Sequence, residues 1–486
     1  MVSFSNPILP SDWSDPDVIR VGSDFFMVSS SFNYCPGIPI LHSKDLVHWE
    51  LINYVIRDFP AASFHQVRPG CGAWAPSLRW HQGVFYCLIP FPDEGIFVAE
   101  TKDIYGEWSD LRCLLPGSGF EDPCPIWIGE KTYVVFAFVK SRIGFNSKLG
   151  LIETDAKLSV QHGTGYQIIY DGTVDNPRIE GPKCYLSEGK VLILAPAGGV
   201  EHGWEEALIA DSVFGPYQVK RVLQEKDGCW INGPHQGALV DLDDKGNYAF
   251  VHFCSQGNLG RIICLEPAVF SAGWPLLGNK GTPVLKGNIP LAEHKCRIDY
   301  SDSFSGSLSA IWQTPCQIDK NSWLSSDSSG LRMKAMELKE KSLSLFPYVL
   351  SERICDYSFS CQVQLDVSHL GEGAKAGLGI AGRDSAFIFV INRQSKSIIN
   401  LYSESNGGSI DEDLCEVPQG KIILSLDFAF PDTVSFSVNG RRYEFKVCKE
   451  QWVGLRVGLT AIGYAGWAVF SSFKVTPKKP HFAEKP

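Results

Sequence analysis

The sequence has no apolar stretch of about 18 residues, so no helical membrane span is expected in its 486 positions. It has no long basic run either. Its 44 Lys and Arg are outnumbered by 54 Asp and Glu, giving a net charge of −10 at pH 7. That balance excludes the positive footprint that nucleic acid demands. No CxxC pair occurs among the fifteen cysteines, their number is odd, and several (Cys87, Cys254, Cys264) sit inside apolar strands. Neither a zinc finger nor a disulfide framework is expected, and buried thiols in a reducing compartment account for them. The start, MVSFSNPILP, shows no basic segment followed by an apolar stretch. No secretory signal is read there, and a cytoplasmic location is expected.

What the chain does have is aromatic side chains: 13 Trp, 16 Tyr and 29 Phe. Such a composition suits β-structure and flat, partly apolar ligands such as sugar rings. The length points to two or three domains.

Internal repetition is the most informative feature. Five segments share one plan: a small polar start, a short strand, a tight turn and an aromatic-rich strand. They are DPDVIRVGSDFFMVSSS from Asp15, WAPSLRWHQGVFYCLIPF from Trp74, EDPCPIWIGEKTYVVFAFV from Glu121, EGPKCYLSEGKVLILAPAGG from Glu180 and HQGALVDLDDKGNYAFVHFC from His235. Each is followed by a second strand pair. Four strands per unit, repeated five times, predict a five-bladed β-propeller in which every first strand lines a central channel. Asp15, Trp74, Asp122, Glu180 and His235 are then expected at equivalent places, one per blade, at the mouth of that channel.

Each piece alone has a plainer reading. Asp-Pro is a common turn, a lone tryptophan is usually core, and a lone histidine is usually structural. The shared phase of the acids in blades one, three and four argues against three unrelated turns. Two carboxyl groups across a sugar-sized opening are the minimum for cleaving a glycosidic bond, and a third raises the proton affinity of its neighbours.

The ordered motifs NPILPSDWSDPDVIRVGSDFFMVSSSF, GAWAPSLRW, FEDPCPIWI, IEGPKCYL, HQGALV and GNLGRIICLEP resemble glycoside hydrolase family 43. The likeness is to its two-domain β-xylosidase and α-L-arabinofuranosidase members. The resemblance implies inversion of configuration, with Asp15 as the general base, Glu180 as the general acid and Asp122 tuning and orienting Glu180. It implies that Arg261 binds substrate hydroxyls from the channel floor and that Trp74 and Phe32 wall the sugar pocket. His235 matches a position near the channel centre where some members hold calcium or a water cluster; no cofactor is required. In one departure, the family's Pro-Asp-Pro-Ser reads Ser14-Asp15-Pro16-Asp17 here. Strand alternation would put Asp17 on the same face as Asp15.

After the irregular stretch 281–296, short alternating strands continue to residue 478, as in a β-sandwich. They resemble the concanavalin-like C-terminal domain of these enzymes, which is expected to close one side of the pocket. The expected division is a catalytic propeller at 1–295, a sandwich at 296–478 and a tail at 479–486. The expected activity is exo-acting release of xylose, arabinose or both from plant-derived oligosaccharides. The alternatives are a dedicated α-L-arabinofuranosidase and a non-catalytic carbohydrate-binding propeller. The partner is an oligosaccharide, with neither nucleic acid nor membrane, and self-association into a homo-oligomer stays open.

Overall fold

A computed structural model describes residues 1–339, 342–405 and 408–478; the expected tail at 479–486 lies outside the described residues. Five four-stranded antiparallel sheets follow one another along the chain, spanning residues 17–56, 77–116, 120–171, 183–223 and 235–277. In each sheet the strands lie side by side in chain order. First strands of neighbouring sheets touch: Asp17–Val21 meets Ser77–His81 and His235–Asp241, and Phe120–Ile128 meets Ser77–His81 and Lys183–Ser187. These are the blades of a propeller around a channel.

The tight turns of the sequence make the hairpins. His81 pairs with Val84 across Gln82-Gly83, and Ser187 with Lys190 across Glu188-Gly189. All four turn residues have φ between 49° and 81°. Two-residue turns of that hand match the twist of the strands they join.

Every blade is built from contiguous sequence, so no shared strand closes the ring. The N-terminal segment does this instead. Val2–Ser5 pairs with Lys286–Ile289, which makes a strand within a stretch expected to be irregular. Ile8 and Trp13 then donate backbone hydrogen bonds to Ile263 and Arg261 in blade five. Asn6 adds a side-chain clamp, with its amide donating to the Leu265 and Val284 carbonyls, each at 2.8 Å, while its oxygen accepts from Leu265 N.

Beyond the propeller, a seven-stranded and a six-stranded antiparallel sheet form the sandwich. Alternation fixes its inner face: Phe359, Cys361, Val363 and Leu365 are fully buried along one side of Ser358–Asp366. A single apolar cluster runs from Trp13 and Phe253 of the propeller to Trp312, Leu378 and Leu455 beyond it.

The seam between the two parts is polar and centred on Asp12, which is 5% exposed. Asp12 Oδ1 accepts from Arg261 N at 2.9 Å and from the Ser14 hydroxyl at 2.8 Å, and Oδ2 accepts from Gly454 N at 2.8 Å. Its carbonyl accepts from Arg353 Nε at 2.7 Å, and that guanidinium lies 4.3 Å over the Trp13 ring. The close approach needs glycine on both sides. A Cβ on Gly260, at φ 86°, would meet Asp12 Oδ1 at 2.4 Å, and one on Gly454 would meet the Leu259 carbonyl at 2.4 Å.

Asp12→Ala strands two backbone N–H groups in a buried seam and is expected to cost at least about 3 kcal/mol. Asp12→Asn, which keeps one acceptor, should cost less. Equal thermal midpoints for Asp12→Ala and the native chain would show that the carboxylate does not hold the seam.

Candidate active site

The backbone decides how the acids are presented. Asp15 and Asp122 each precede a proline and have φ of 56° and 54°. Gly181 and Gln236 share the left-handed sign, with φ of 59° and 23°. The inner strands pair from two residues later in blades one and four, Asp17 with Val28 and Lys183 with Leu194. Asp15, Asp122, Gly181 and Gln236 are therefore the matching positions, while Trp74, Glu180 and His235 stand one residue earlier. The expected one-to-one phase of all five residues is corrected by one place. A left-handed residue turns its side chain out of strand alternation, so acids from adjacent sequence positions can reach one opening.

The same geometry removes Asp17 from the opening. Asp15 is not part of the strand, so alternation does not put the two acids on one face. Asp17 is fully buried and does not line the pocket. Its Oδ2 accepts from Leu78 N at 2.8 Å and Arg79 Nη1 at 2.7 Å, with Lys183 Nζ at 3.7 Å. It ties the inner strands of blades one, two and four.

Asp15, Asp122 and Glu180 do converge. They line one cavity of about 240 Å³ with Phe32, Trp74 and Arg261. Arg261 Nη1 donates to Asp15 Oδ1 at 2.6 Å, and the Ser30 hydroxyl donates to Oδ2. Both oxygens of Asp15 are thereby held in place. Asp122 Oδ2 accepts from Gly181 N at 2.7 Å, which pins the backbone immediately after Glu180. Trp74 anchors its indole N–H on the Gly70 carbonyl at 3.0 Å and meets Phe32 edge-on at 6.1 Å. The Arg261 guanidinium lies 4.9 Å over the Phe253 ring and 5.5 Å over that of Trp452.

His235 is placed differently from expectation. It is 1% exposed and lies beneath the cavity, its Nε2 3.3 Å from Glu180 Oε1 and its ring 5.1 Å from that of Phe253. Gln236, the next residue, reaches the cavity wall instead. Calcium takes six to eight oxygen ligands. His235 offers ring nitrogens rather than oxygens, and the roles below are those of side chains alone.

Burial and like charge act together on the acids. The Asp122 carboxyl is pushed up to about 7 by loss of solvent and by the negative charges of Glu180 and Asp15, against the pull of the Gly181 N–H. Glu121, its neighbour in the chain, also lines the cavity. Burial first, then Asp122, Glu180 and Asp15, push its carboxyl well above the usual carboxylate range. Carboxyl groups this close share protons as a set.

Several wall residues were not read from the sequence. Glu121 lay hidden in the FEDP motif as a simple neighbour of Asp122. The single helical turn Lys140–Ile143 brings Lys140 and Arg142 to the rim, and Arg142 stacks 5.9 Å from the Trp74 ring and pairs with Asp93. From the second domain come Gln451 and Trp452, the latter 6.4 Å from the Trp74 ring. The adjacent motif CKEQWVGLR carries no signal that it would reach the other domain.

Comparison with known proteins agrees with this architecture. The family described as glycosyl hydrolases family 43 matches residues 4–275, and the beta xylosidase C-terminal concanavalin A-like domain matches residues 301–476. A Xylanibacter ruminicola protein with a provisional beta-xylosidase name is 31% identical over 386 residues, covering 76% of this chain and 70% of its own length. A non-reducing end alpha-L-arabinofuranosidase of Bacteroides ovatus is 27% identical over 471 residues, covering 90% of this chain and 85% of its own. The crystal structure of a xylan beta-1,4-xylosidase from Bacillus halodurans superposes with a TM-score of 0.83 over 98% of this chain and 100% of its own. At 22% identity that likeness concerns the fold alone.

The raised proton affinity of Asp122 predicts a pH-dependent cost. The folded carboxyl keeps its proton to about pH 7, whereas the unfolded one releases it near 3.8. Stability is therefore lost as pH rises through that window, and the loss is complete above it. Asp122→Asn should raise the thermal midpoint more at pH about 8 than at pH about 5, while turnover falls. A gain of equal size at both pH values would contradict the assignment.

Proposed function

The chain belongs to glycosyl hydrolase family 43, and on that premise we propose that it is an inverting, exo-acting hydrolase releasing xylose, arabinose or both from the non-reducing ends of hemicellulose-derived oligosaccharides. The observation that carries this reading is the meeting of Asp15, Asp122 and Glu180 in one small cavity whose walls come from both domains. The Trp452 wall supports attack from chain ends, because a polysaccharide cannot run through a pocket closed on that side.

The roles follow from what holds each acid. Asp15, fixed by Arg261 and Ser30, takes a proton from the attacking water. Glu180, with His235 Nε2 3.3 Å beneath it and the next backbone N–H pinned by Asp122, gives a proton to the leaving oxygen. Asp122 acts through Glu180 and is a positioning residue. Arg261 faces the cavity while bonded to Asp15, so substrate hydroxyls and the base share one guanidinium. Trp74, Phe32 and Trp452 offer apolar surface to the ring faces of the sugar. The relatives carry both xylosidase and arabinofuranosidase names. The arabinofuranosidase match extends over 90% of this chain, which favours testing a dedicated furanosidase as the second reading.

Hydrolysis of the two nitrophenyl glycosides and of short xylo- and arabino-oligosaccharides discriminates the substrates; a strong furanoside preference defeats the xylosidase reading. Glu180→Gln should lose about 10²–10⁴-fold on natural leaving groups and far less on activated aryl glycosides. Equal losses on both would remove Glu180 from the acid role. Asp15→Asn should abolish turnover on every substrate, and a first-released sugar of retained anomeric configuration would overturn inversion.

A further inference from the structure

Blade five holds a second cluster of chemically competent side chains, away from the cavity and unused by the proposed reaction. His252 and Cys254 lie two residues apart on the strand Tyr248–Ser255, and Cys264 lies directly opposite His252 on the strand Arg261–Ser271. Period-two alternation puts all three on one face of the blade. Their ligating atoms lie within 4.8 Å of one another, and none of the three residues is more than 1% exposed. Glu266, fully buried and two residues beyond Cys264, brings Oε1 to 3.4 Å from His252 Nε2. Its Oε2 accepts from Val284 N at 2.9 Å, which fixes the carboxylate.

The hydrogen bonding shows a place for a cation. His252 Nδ1 lies 3.1 Å from the Phe253 carbonyl, an acceptor, so Nδ1 carries the hydrogen. Nε2 makes the other ring contact, a 3.4 Å hydrogen bond with Glu266 Oε1. A ring nitrogen and a carboxylate oxygen pair in a dry interior when a cation, either a proton or a metal ion, serves both. Two thiols beside them make that cation's preferred company soft or borderline. Tetrahedral zinc bonds of about 2.0–2.3 Å set ligand atoms roughly 3.3–3.8 Å apart, a modest contraction of the spacing seen here.

We propose that the His252 imidazole, Cys254 Sγ and Cys264 Sγ form a structural site for a divalent cation of the zinc class, with Glu266 held against the imidazole behind them. Binding releases one proton from each thiol and requires no oxidant or reductant. The site backs directly onto the cavity. Phe253, between two ligands and on the opposite face, packs against His235 and under the Arg261 guanidinium. A metal across the two strands holds their register where Arg261 begins the second. The inference is independent of the glycosidase reading.

The test uses the full chain. Protein expressed with zinc and passed into metal-free buffer should retain about one zinc per chain by mass spectrometry of the metal. Refolding with cobalt should give a near-ultraviolet thiolate-to-cobalt band and the intense visible bands of a four-coordinate ion. Cys264→Ser should lose both signals, whereas Cys87→Ser, a buried thiol of blade two, should keep them. Should Cys264→Ser not fold, the native chain decides, since refolding with zinc should raise its thermal midpoint above refolding with chelator. Zinc well below stoichiometry together with no cobalt band would overturn the proposal and leave a proton as the cation between His252 and Glu266.

Discussion

One buried carboxylate, Asp12, links ring closure, domain docking and the active site. It accepts the backbone N–H of Arg261, whose guanidinium grips Asp15, and the backbone N–H of Gly454, two residues beyond Trp452. The segment that carries Asp12 is also the one that fastens blade five to blade one. Arg261 and Trp452, which stack on one another at the cavity wall, are thus positioned from the two oxygens of a single side chain. Glycine at 260 and 454 is the steric condition for that approach, since any Cβ there would strike Asp12 or the Leu259 carbonyl.

The cavity concentrates charge that folding would otherwise avoid. Burial and mutual repulsion raise Asp122 and Glu121, and hydrogen bonds from Gly181 N, Ser30 and Arg261, together with the positive charge of Lys183, offset the repulsion. A ring of inner strands can support this arrangement because Asp15, Asp122 and Glu180 are anchored in three different blades. Beneath it, the Asp17–Arg79–Lys183 network shows the opposite solution, where an acid is matched by two cations and takes no part in the opening.

Much of the architecture was legible in the sequence because propeller blades are local. Turn residues such as Gln82-Gly83 and the alternation of the strands around them act over a few positions, so blade count and strand pairing can be read directly. The convergence of Asp15, Asp122 and Glu180 followed from repetition and was met in space. The reading failed where a backbone angle or a distant partner decided. Positive φ at Asp15 and Asp122 shifted the phase by one residue and freed Asp17 for a structural tie. His235 went beneath the cavity because Gln236 holds the wall position. Cys254 and Cys264, read as inert thiols, face His252 and Glu266 only because two strands pair in one register.

By itself, then, the sequence determined the repeating hairpins, the five-fold plan, the alternating second domain and the identity of three acids, all of which rest on short-range steric and hydrophobic patterning. Tertiary structure alone decided which side chains share a cavity, which are neutralised by a cation, and how Trp452 of the second domain reaches the sugar pocket. Those outcomes depend on contacts between segments hundreds of residues apart, and local propensity carries no information about them.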